Sequence, residues 1–340
     1  MKRPLTFFIL TITSICAFAQ KPVIDTSIYF KTFTQITDVQ PQKAYNWLTA
    51  QLVKWKTPDG NTTQGILYKP ENFDPKKKYP IIFHYYERKS SGLHNFPSPQ
   101  LQDGGTIDIA TYVSNGYLVF LPDVHFKVGY PGRSSLNTIL SAVKYLSRYP
   151  WVNTKRMGLM GHSFGGFQTD YIITHIHLFA AAVSMSGMAD FISAYGSIIG
   201  DGTSRQRQYE LYRDRIGATL WQRPDLYVEN SPVLKADQIT TPVLLMANKK
   251  DNDVPYEQGF EFFTALRRLG KKAWMLQYDN SGHQVVSEID KTDLTIRTRQ
   301  FFDYYLMDKT PPKWMSVGVQ ASQKQIDDGL APDLRTGAKP

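Results

Sequence analysis

The sequence has almost no cysteine. Among its 340 residues only Cys16 carries a thiol, inside an apolar stretch that follows the basic start Met1-Lys2-Arg3-Pro4 and ends in Ala17-Phe18-Ala19. This arrangement predicts a cleaved secretory signal peptide over residues 1–19. The remaining chain would then have no thiol, which excludes disulfides, a cysteine nucleophile and cysteine-ligated metals.

The N-terminal apolar stretch is also too short to be a membrane anchor, because a spanning helix requires roughly 20 apolar residues. Ile15 precedes Cys16 where a lipid-modified cysteine would follow a small residue. We therefore expect no stable membrane insertion after cleavage, and a secreted or periplasmic protein.

The sequence lacks a long basic run as well. Its net charge is +9, but the lysines and arginines are scattered among acidic residues, so we expect no nucleic-acid partner. His175 and His177 stand two residues apart without a third ligand nearby, so no metal site is predicted, and no cofactor motif is present. Homo-oligomerisation is left open.

The pattern that is present predicts one large α/β domain. A hairpin signal, Pro58-Asp59-Gly60-Asn61, lies between two alternating runs, and buried strands then alternate with helical segments. This order predicts a mostly parallel, doubly wound sheet with flanking helices. The expected divisions are an irregular lead-in at residues 20–47, a catalytic domain at 48–308 and a tail at 309–340. The strand candidates after the hairpin are residues 79–86, 116–121, 157–160, 180–185, 242–246 and 273–278.

Three helical segments are specific enough to name. Ser134-Ser135 is predicted to cap a helix that stops before Pro150. A second helix has an apolar stripe of Phe260, Phe263 and Leu266 and ends at Gly270. A last helix carries Leu294, Phe301, Phe302 and Tyr305. The residues from Ser316 onward show no periodicity, which predicts an extended tail.

The most informative stretch is Gly161-His162-Ser163-Phe164-Gly165-Gly166, which follows an apolar run and precedes a helical segment. This is the strand, sharp turn and helix that present a nucleophilic serine in the α/β-hydrolase fold. Ser163 is the predicted nucleophile. Gly161 and Gly165 would remove side chains that collide at the turn, and Gly166 would let the helix pack closely.

In this fold the serine is followed along the chain by the acid and then by the histidine. His283 is the only one of seven histidines beyond the last two strand candidates, so by elimination it is the predicted base. Asp251 and Asp253 both follow the strand that ends at Met246, and either could orient the imidazole. The backbone N–H of Phe164 is one predicted oxyanion donor. Since no Gly-rich run follows residues 81–86, a tyrosine hydroxyl, of Tyr85 or Tyr86, would supply the second.

Taken in order, Lys77-Lys78-Tyr79-Pro80-Ile81-Ile82, the serine turn, Asp251-Asn252-Asp253-Val254-Pro255 and Gly282-His283 resemble the catalytic domain of the prolyl oligopeptidase family of serine peptidases. The resemblance runs from about residue 34 to 305. It implies Ser163, Asp251 and His283 as the triad and Tyr86 as the oxyanion tyrosine. It also implies a substrate pocket wall that includes Phe191 and Tyr195.

Two departures from the family pattern affect the functional prediction. Residues 123–130, Asp-Val-His-Phe-Lys-Val-Gly-Tyr, replace an Arg-Gly-Ser-Gly-Gly-like loop. About 30 residues separate the signal peptide from the hydrolase, too few for the β-propeller that precedes this domain in most members. We therefore expect a catalytic domain without the propeller, and the exopeptidase specificity of the relatives does not carry over.

Three functional hypotheses follow. The first is a secreted serine peptidase that cleaves peptide bonds through an acyl-enzyme intermediate. The second is a carboxylesterase acting on acyl esters, including carbohydrate-linked ones, because the same groups cleave esters. The third is a catalytically degenerate or partner-dependent binding protein. The expected partner is thus a peptide or an ester substrate.

Overall fold

A computed structural model describes residues 48–323, 326–337 and 340 of the chain. The predicted signal peptide and lead-in lie outside the described residues. Eight strands are present in this part of the chain: β1 Leu48–Lys56, β2 Thr62–Pro70, β3 Tyr79–His84, β4 Leu118–Pro122, β5 Val152–His162, β6 Ala181–Met185, β7 Val243–Met246 and β8 Ala273–Leu276.

All eight strands form one sheet in the order β1-β2-β4-β3-β5-β6-β7-β8. The pairs β1–β2 and β2–β4 are antiparallel, and every pair from β4 to β8 is parallel. The predicted opening hairpin is confirmed, with Gly60 in the left-handed region at φ 83° in its turn. A mostly parallel, doubly wound α/β sheet is therefore the observed fold, as the sequence predicts.

Nine α-helices accompany the sheet in the described residues: α1 Ile109–Ser114, α2 Pro131–Leu146, α3 Phe164–His175, α4 Phe191–Tyr195, α5 Gln206–Leu211, α6 Pro224–Glu229, α7 Tyr256–Arg268, α8 Glu288–Met307 and α9 Lys313–Ser316. The same part of the chain contains three short 3₁₀ segments, at Ser90–Gly92, Pro232–Gln238 and Ala321–Gln323.

Buried strands separate two hydrophobic layers. In β3, Ile81 and Phe83 pack with residues of α2, α3 and α7, whereas Ile82 packs with residues of α1 and α8 on the opposite face. This alternation follows from the two-residue period of a strand. Because both faces are covered by helices, the central strands read as continuous apolar runs.

Helix α2 begins earlier than predicted. Its first residue is Pro131, and neither Ser134 nor Ser135 is its cap. Their hydroxyls donate to the carbonyls of Tyr130 and Pro131, four residues back. Proline is well suited to the first helical position, where its missing N–H costs no intrahelical bond. The predicted cap was wrong because serine can satisfy its hydroxyl inside a helix as well as at its start.

The predicted apolar stripe of α7 is confirmed in part. Leu266 is buried and Phe263 packs against the core, but Phe260 is 46% exposed and stacks on Tyr256 at a ring separation of 5.8 Å, and Phe262 is buried instead. Gly270 follows the helix at φ 68°, as its predicted role as a stop requires.

The C-terminal tail, predicted as residues 309–340, contacts the domain on both sides of Ser316. Trp314 and Met315 are buried in the layer that contains α8, and Trp314 Nε1 donates to Gln300 Oε1 at 2.8 Å. The Asp333 N–H donates to the Pro311 carbonyl at 2.8 Å. The buried side chains and the backbone bond of Asp333 hold this segment against the domain, and none of these contacts requires a periodic sequence pattern.

In the part of the chain that the structure describes, none of the helices has the length and apolar character that crossing a membrane requires.

Candidate active site

Ser163 lies between the last residue of β5 and the first residue of α3, at the carboxyl edge of the parallel strands. Its backbone adopts φ 58° and ψ −121°, a conformation that costs a residue with a side chain about 1–3 kcal/mol. Its N–H donates to the Met185 carbonyl at 2.8 Å, which ties the turn to β6. The structure thus places the predicted nucleophile in the strained turn that the sequence indicated.

Two glycines of this turn are required by close backbone approach. A Cβ on Gly161 would lie 2.0 Å from the Gly165 carbonyl oxygen, and one on Gly165 would lie 2.7 Å from the Tyr85 carbonyl oxygen. Gly166 meets the Met185 carbonyl in the same way at 2.7 Å, so its predicted role in close helix packing is confirmed. The helix can approach the sheet only because these side chains are missing.

Asp251 and His283 are brought together from the loops after β7 and β8. His283 Nδ1 donates to the Asp251 carboxylate, with distances of 2.8 and 3.0 Å to its two oxygens. Burial acts to raise the pKa of Asp251, but the hydrogen bond and charge of His283 outweigh it, helped by the N–H groups of Asp253 and Val254, and the pKa is lowered. Asp251 is therefore an ionised carboxylate that fixes the orientation of the imidazole.

Asp253 takes a different position. Its side chain is 59% exposed and makes a 3.5 Å ion pair with Arg205. Of the two aspartates that the sequence left open, only Asp251 contacts His283.

The structure also distinguishes between the two tyrosines that follow β3. Tyr85 is buried and its hydroxyl forms a 2.8 Å hydrogen bond with that of Thr169. Tyr86 is half-buried, and its ring packs on Phe164, the residue after Ser163, with 6.3 Å between the ring centroids. Burial raises the pKa of Tyr86 further above its ordinary value, so its hydroxyl is protonated at neutral pH as in a free tyrosine. Tyr86 is thus the tyrosine that lies beside the serine turn.

Phe164 is the first residue of α3. The first N–H groups of a helix have no partner within the helix and carry its positive partial charge. The Phe164 N–H accordingly belongs to the set of donors that an oxyanion beside Ser163 could use.

The predicted pocket residues lie deeper than a surface wall. Phe191 has 0% exposure and packs on Phe167 at 4.6 Å between ring centroids. Tyr195 is 3% exposed, and its hydroxyl donates to Glu210 Oε1 at 2.6 Å. Both belong to an aromatic layer formed with α3, α5 and α6. They therefore lie beneath the surface beside Phe164 and expose almost none of their own area.

The loop at residues 123–130, which differs from the family pattern, contributes a further aromatic ring beside Phe164. Phe126 packs on Phe164 at 5.1 Å between centroids, and the Arg215 guanidinium lies 4.7 Å from the Phe126 ring. Asp123 accepts hydrogen bonds from the Lys89 and Ser90 N–H groups, at 2.6 and 2.8 Å. The loop is therefore tied to the segment that follows Tyr86.

His162 holds the backbone of His283 in place, a role that the sequence did not predict. Its Nε2 donates to the His283 carbonyl at 2.8 Å, and the two imidazole rings lie 4.6 Å apart. Ser186 Oγ donates to the same carbonyl at 3.3 Å. His162 directly precedes the nucleophile, and that position was the only signal of its role.

His162 predicts a dependence of stability on pH. Burial, followed by the charge of His283, lowers the pKa of His162 to about 4. Since an unfolded histidine titrates near pH 6.5, the unfolded chain takes up this proton first. The stability contributed by neutral His162 is complete above about pH 6.5 and is lost as the pH falls toward 4, roughly 3 kcal/mol in all.

Urea unfolding of the protein between about pH 7 and pH 4 measures this loss. His162→Gln should remove most of it, whereas His125→Gln, which changes an exposed histidine, should retain it. An unchanged pH dependence in His162→Gln would assign the acid sensitivity to other groups.

Among residues 48–323, 326–337 and 340, no group of three histidine, cysteine, aspartate or glutamate residues is arranged to hold a metal ion. The structure has a strained serine at the start of α3, and the loop that carries the carboxylate-bound imidazole is bonded to His162, the residue before that serine. With its mostly parallel sheet, this arrangement places the protein in the α/β-hydrolase class.

Comparison with known proteins defines the family. The prolyl oligopeptidase family model of peptidases matches residues 129–309, which is more than half of the chain. The chain belongs to the prolyl oligopeptidase family.

The chain is similar over part of their length to an uncharacterized peptidase, YuxL, of Bacillus subtilis and to dipeptidyl-peptidase 5 of Porphyromonas endodontalis. The identities are 26% and 25%, over 68% and 75% of this chain and 35% and 36% of the relatives. It therefore spans about a third of the length of the curated relatives it matches.

A solved structure, that of a putative dipeptidyl aminopeptidase IV from Bacteroides ovatus, has the same fold. It superposes with a TM-score of 0.64 at 22% identity, covering 79% of this chain and 37% of that one.

Proposed function

We propose that this protein is a secreted serine peptidase that cleaves peptide bonds with Ser163 as nucleophile, His283 as general base and Asp251 as the orienting acid. The observation that supports it most is the hydrogen bond from His283 Nδ1 to the Asp251 carboxylate at 2.8 Å, in a chain whose serine stands in the strained turn. The family match to peptidases supports the same reaction class.

In the first half of the reaction, Ser163 Oγ attacks the carbonyl carbon of the scissile bond and passes its proton to His283 Nε2. Asp251 stabilises the imidazolium that forms, because its carboxylate is ionised and already holds Nδ1–H. His283 then donates the proton to the leaving amine nitrogen, the C–N bond breaks, and the acyl group stays on Ser163 as an ester.

In the second half, a water molecule gives a proton to His283 and its oxygen attacks the acyl carbon. The bond to Ser163 Oγ breaks, the serine recovers the proton, and the carboxylic acid leaves. In both halves the carbonyl oxygen becomes an oxyanion, and the Tyr86 hydroxyl and the Phe164 N–H are the donors that stabilise it. Tyr86 can donate because a tyrosine hydroxyl is protonated at neutral pH, and burial raises its pKa further.

The supporting residues fit this role. His162 and Ser186 both hold the His283 carbonyl, and Asn248 Nδ2 donates to the adjacent Gly282 carbonyl at 2.9 Å. A base on a loop must keep its position through both proton transfers, so bonds to its backbone are the support that this chemistry needs.

Fluorophosphonate labelling followed by a substrate panel tests the proposal. We expect the purified protein to be labelled, and to release amines from acylated peptide amides as well as alcohols from the matching esters. Turnover of esters alone would favour a carboxylesterase, and an unlabelled protein would favour a binding protein. Sequencing of the exported protein should give Gln20 as its first residue if residues 1–19 are removed.

A further inference from the structure

Two cationic side chains flank the tyrosine beside the nucleophile. The Lys89 ammonium lies 5.9 Å from the centroid of the Tyr86 ring, and the Arg213 guanidinium carbon lies 5.8 Å from it. The Tyr86 ring also packs on Phe164, the residue after Ser163, at 6.3 Å between ring centroids. Both charges therefore lie against a side chain that neighbours the serine turn, and neither has a role in the mechanism above.

The neighbouring arginines are already neutralised by acidic partners. Arg215 pairs with Glu87 at 3.0 Å, and Arg205 pairs with Asp253 at 3.5 Å. Within residues 48–323, 326–337 and 340, neither Lys89 nor Arg213 has a carboxylate oxygen within 4.0 Å of a side-chain nitrogen. Arg213 is also exposed, so an incoming group can reach it.

Asp214, which stands between Arg213 and Arg215 in the sequence, cannot pair with Arg213 at the surface. Asp214 is fully buried, and desolvation raises its pKa to about 6. Its carboxyl group lies below the surface on which Arg213 is displayed. The accessible charge around Tyr86 is therefore positive.

We propose that Arg213, assisted by Lys89, selects substrates that carry a carboxylate within one or two residues of the bond that is cleaved, so that the preferred substrates are acidic peptides. The proposal rests on the serine peptidase function given above. A guanidinium binds a carboxylate through two parallel hydrogen bonds, and an ammonium adds a point charge. Because both cations lie against Tyr86, and Tyr86 packs on the residue after Ser163, a carboxylate bound there would lie close to the scissile carbonyl.

A simpler role for the same charges would be to stabilise the oxyanion. That role would accelerate every substrate equally, because each forms the same oxyanion. Selection instead acts only on substrates with a carboxylate. Matched acidic and neutral substrates therefore separate the two roles.

The experiment compares peptides that differ only by Glu or Gln at each of two positions on either side of the cleaved bond. We expect kcat/KM of the wild type to favour Glu by about tenfold or more at one position, the range of a charge-assisted hydrogen bond. Arg213→Gln should abolish the preference while changing the Gln peptide by less than about threefold. Arg267→Gln, which removes an exposed arginine at the end of α7, should retain it.

Equal losses on Glu and Gln peptides in Arg213→Gln, or no Glu preference in the wild type, would overturn the proposal. Binding to the Ser163→Ala variant, measured by calorimetry, gives a readout that needs no turnover. The Glu peptide should bind more tightly than the Gln peptide, with a difference that shrinks as salt is added and disappears when Arg213→Gln is combined. Equal binding of both peptides at low salt would refute the selection even if the protein proved not to be a peptidase.

Discussion

Ser163→Ala is expected to lower turnover by about 10⁶-fold, the loss found when a triad nucleophile is removed. The reason is that no other group in this arrangement can form the acyl-enzyme, while the oxyanion donors and the substrate contacts remain. Fluorophosphonate labelling should disappear in the same variant. The measurement is single-turnover and steady-state hydrolysis of one peptide amide and its ester by wild type and variant.

Ser186→Ala provides the demanding control for this prediction. Ser186 also has a left-handed backbone, with φ 47°, and its hydroxyl contacts the His283 carbonyl, so it is the second serine of the site. If Ser163 is the nucleophile, Ser186→Ala still takes up the label. Labelling that survives Ser163→Ala and is lost in Ser186→Ala would transfer the nucleophile to Ser186.

The nucleophile turn could be predicted from the sequence because its requirements are local. A Cβ at position 161 or 165 would meet backbone atoms, so both positions require glycine, and these glycines are visible in the sequence. The parallel strands were equally visible, since burial on both faces makes them continuous apolar runs. Their predicted ends differ from the observed ones by a few residues, as at residues 79–86 and β3, because the last residues of the run bend away from the ladder.

What the sequence did not reveal depends on contacts between distant segments. Asp251 and Asp253 are equivalent as letters, and spacing alone left both open as partners of His283. The loop geometry separates them, with two backbone N–H groups holding Asp251 toward the imidazole. The same holds for Tyr85 and Tyr86, since the Tyr85 hydroxyl bonds that of Thr169 in the core, whereas the Tyr86 ring packs on Phe164 beside Ser163.

The segment between β6 and β7 shows a different limit. It contains α4, α5 and α6, each of five or six residues, too short for an apolar period to be recognised. Their rings join one aromatic layer with Phe164 and Phe167 of α3. The same segment carries Arg213 and Arg215. The charges near the serine are therefore positioned by short helices that the sequence pattern does not predict.

Asp251→Asn is expected to lower kcat by about 10⁴-fold, with little change in KM. An asparagine of the same shape would present an N–H or a neutral oxygen to His283 Nδ1, so it would no longer hold the productive tautomer or stabilise the imidazolium. Asp253→Asn is the matched control, two residues away. It loses only a partly exposed ion pair with Arg205, so its kcat should fall by less than about tenfold.

The stability of the two variants, measured beside kcat, distinguishes loss of catalysis from loss of folding. Asp251 has a lowered pKa, so its contribution to stability is present above the unfolded value near pH 4 and is lost as the pH falls through the folded one. At neutral pH Asp251→Asn should therefore cost some stability, and its melting temperature must be measured beside kcat. If a folded Asp251→Asn variant retained wild-type kcat while Asp253→Asn did not, the acid that serves His283 during turnover would be Asp253, reached by a rearrangement of the loop after β7.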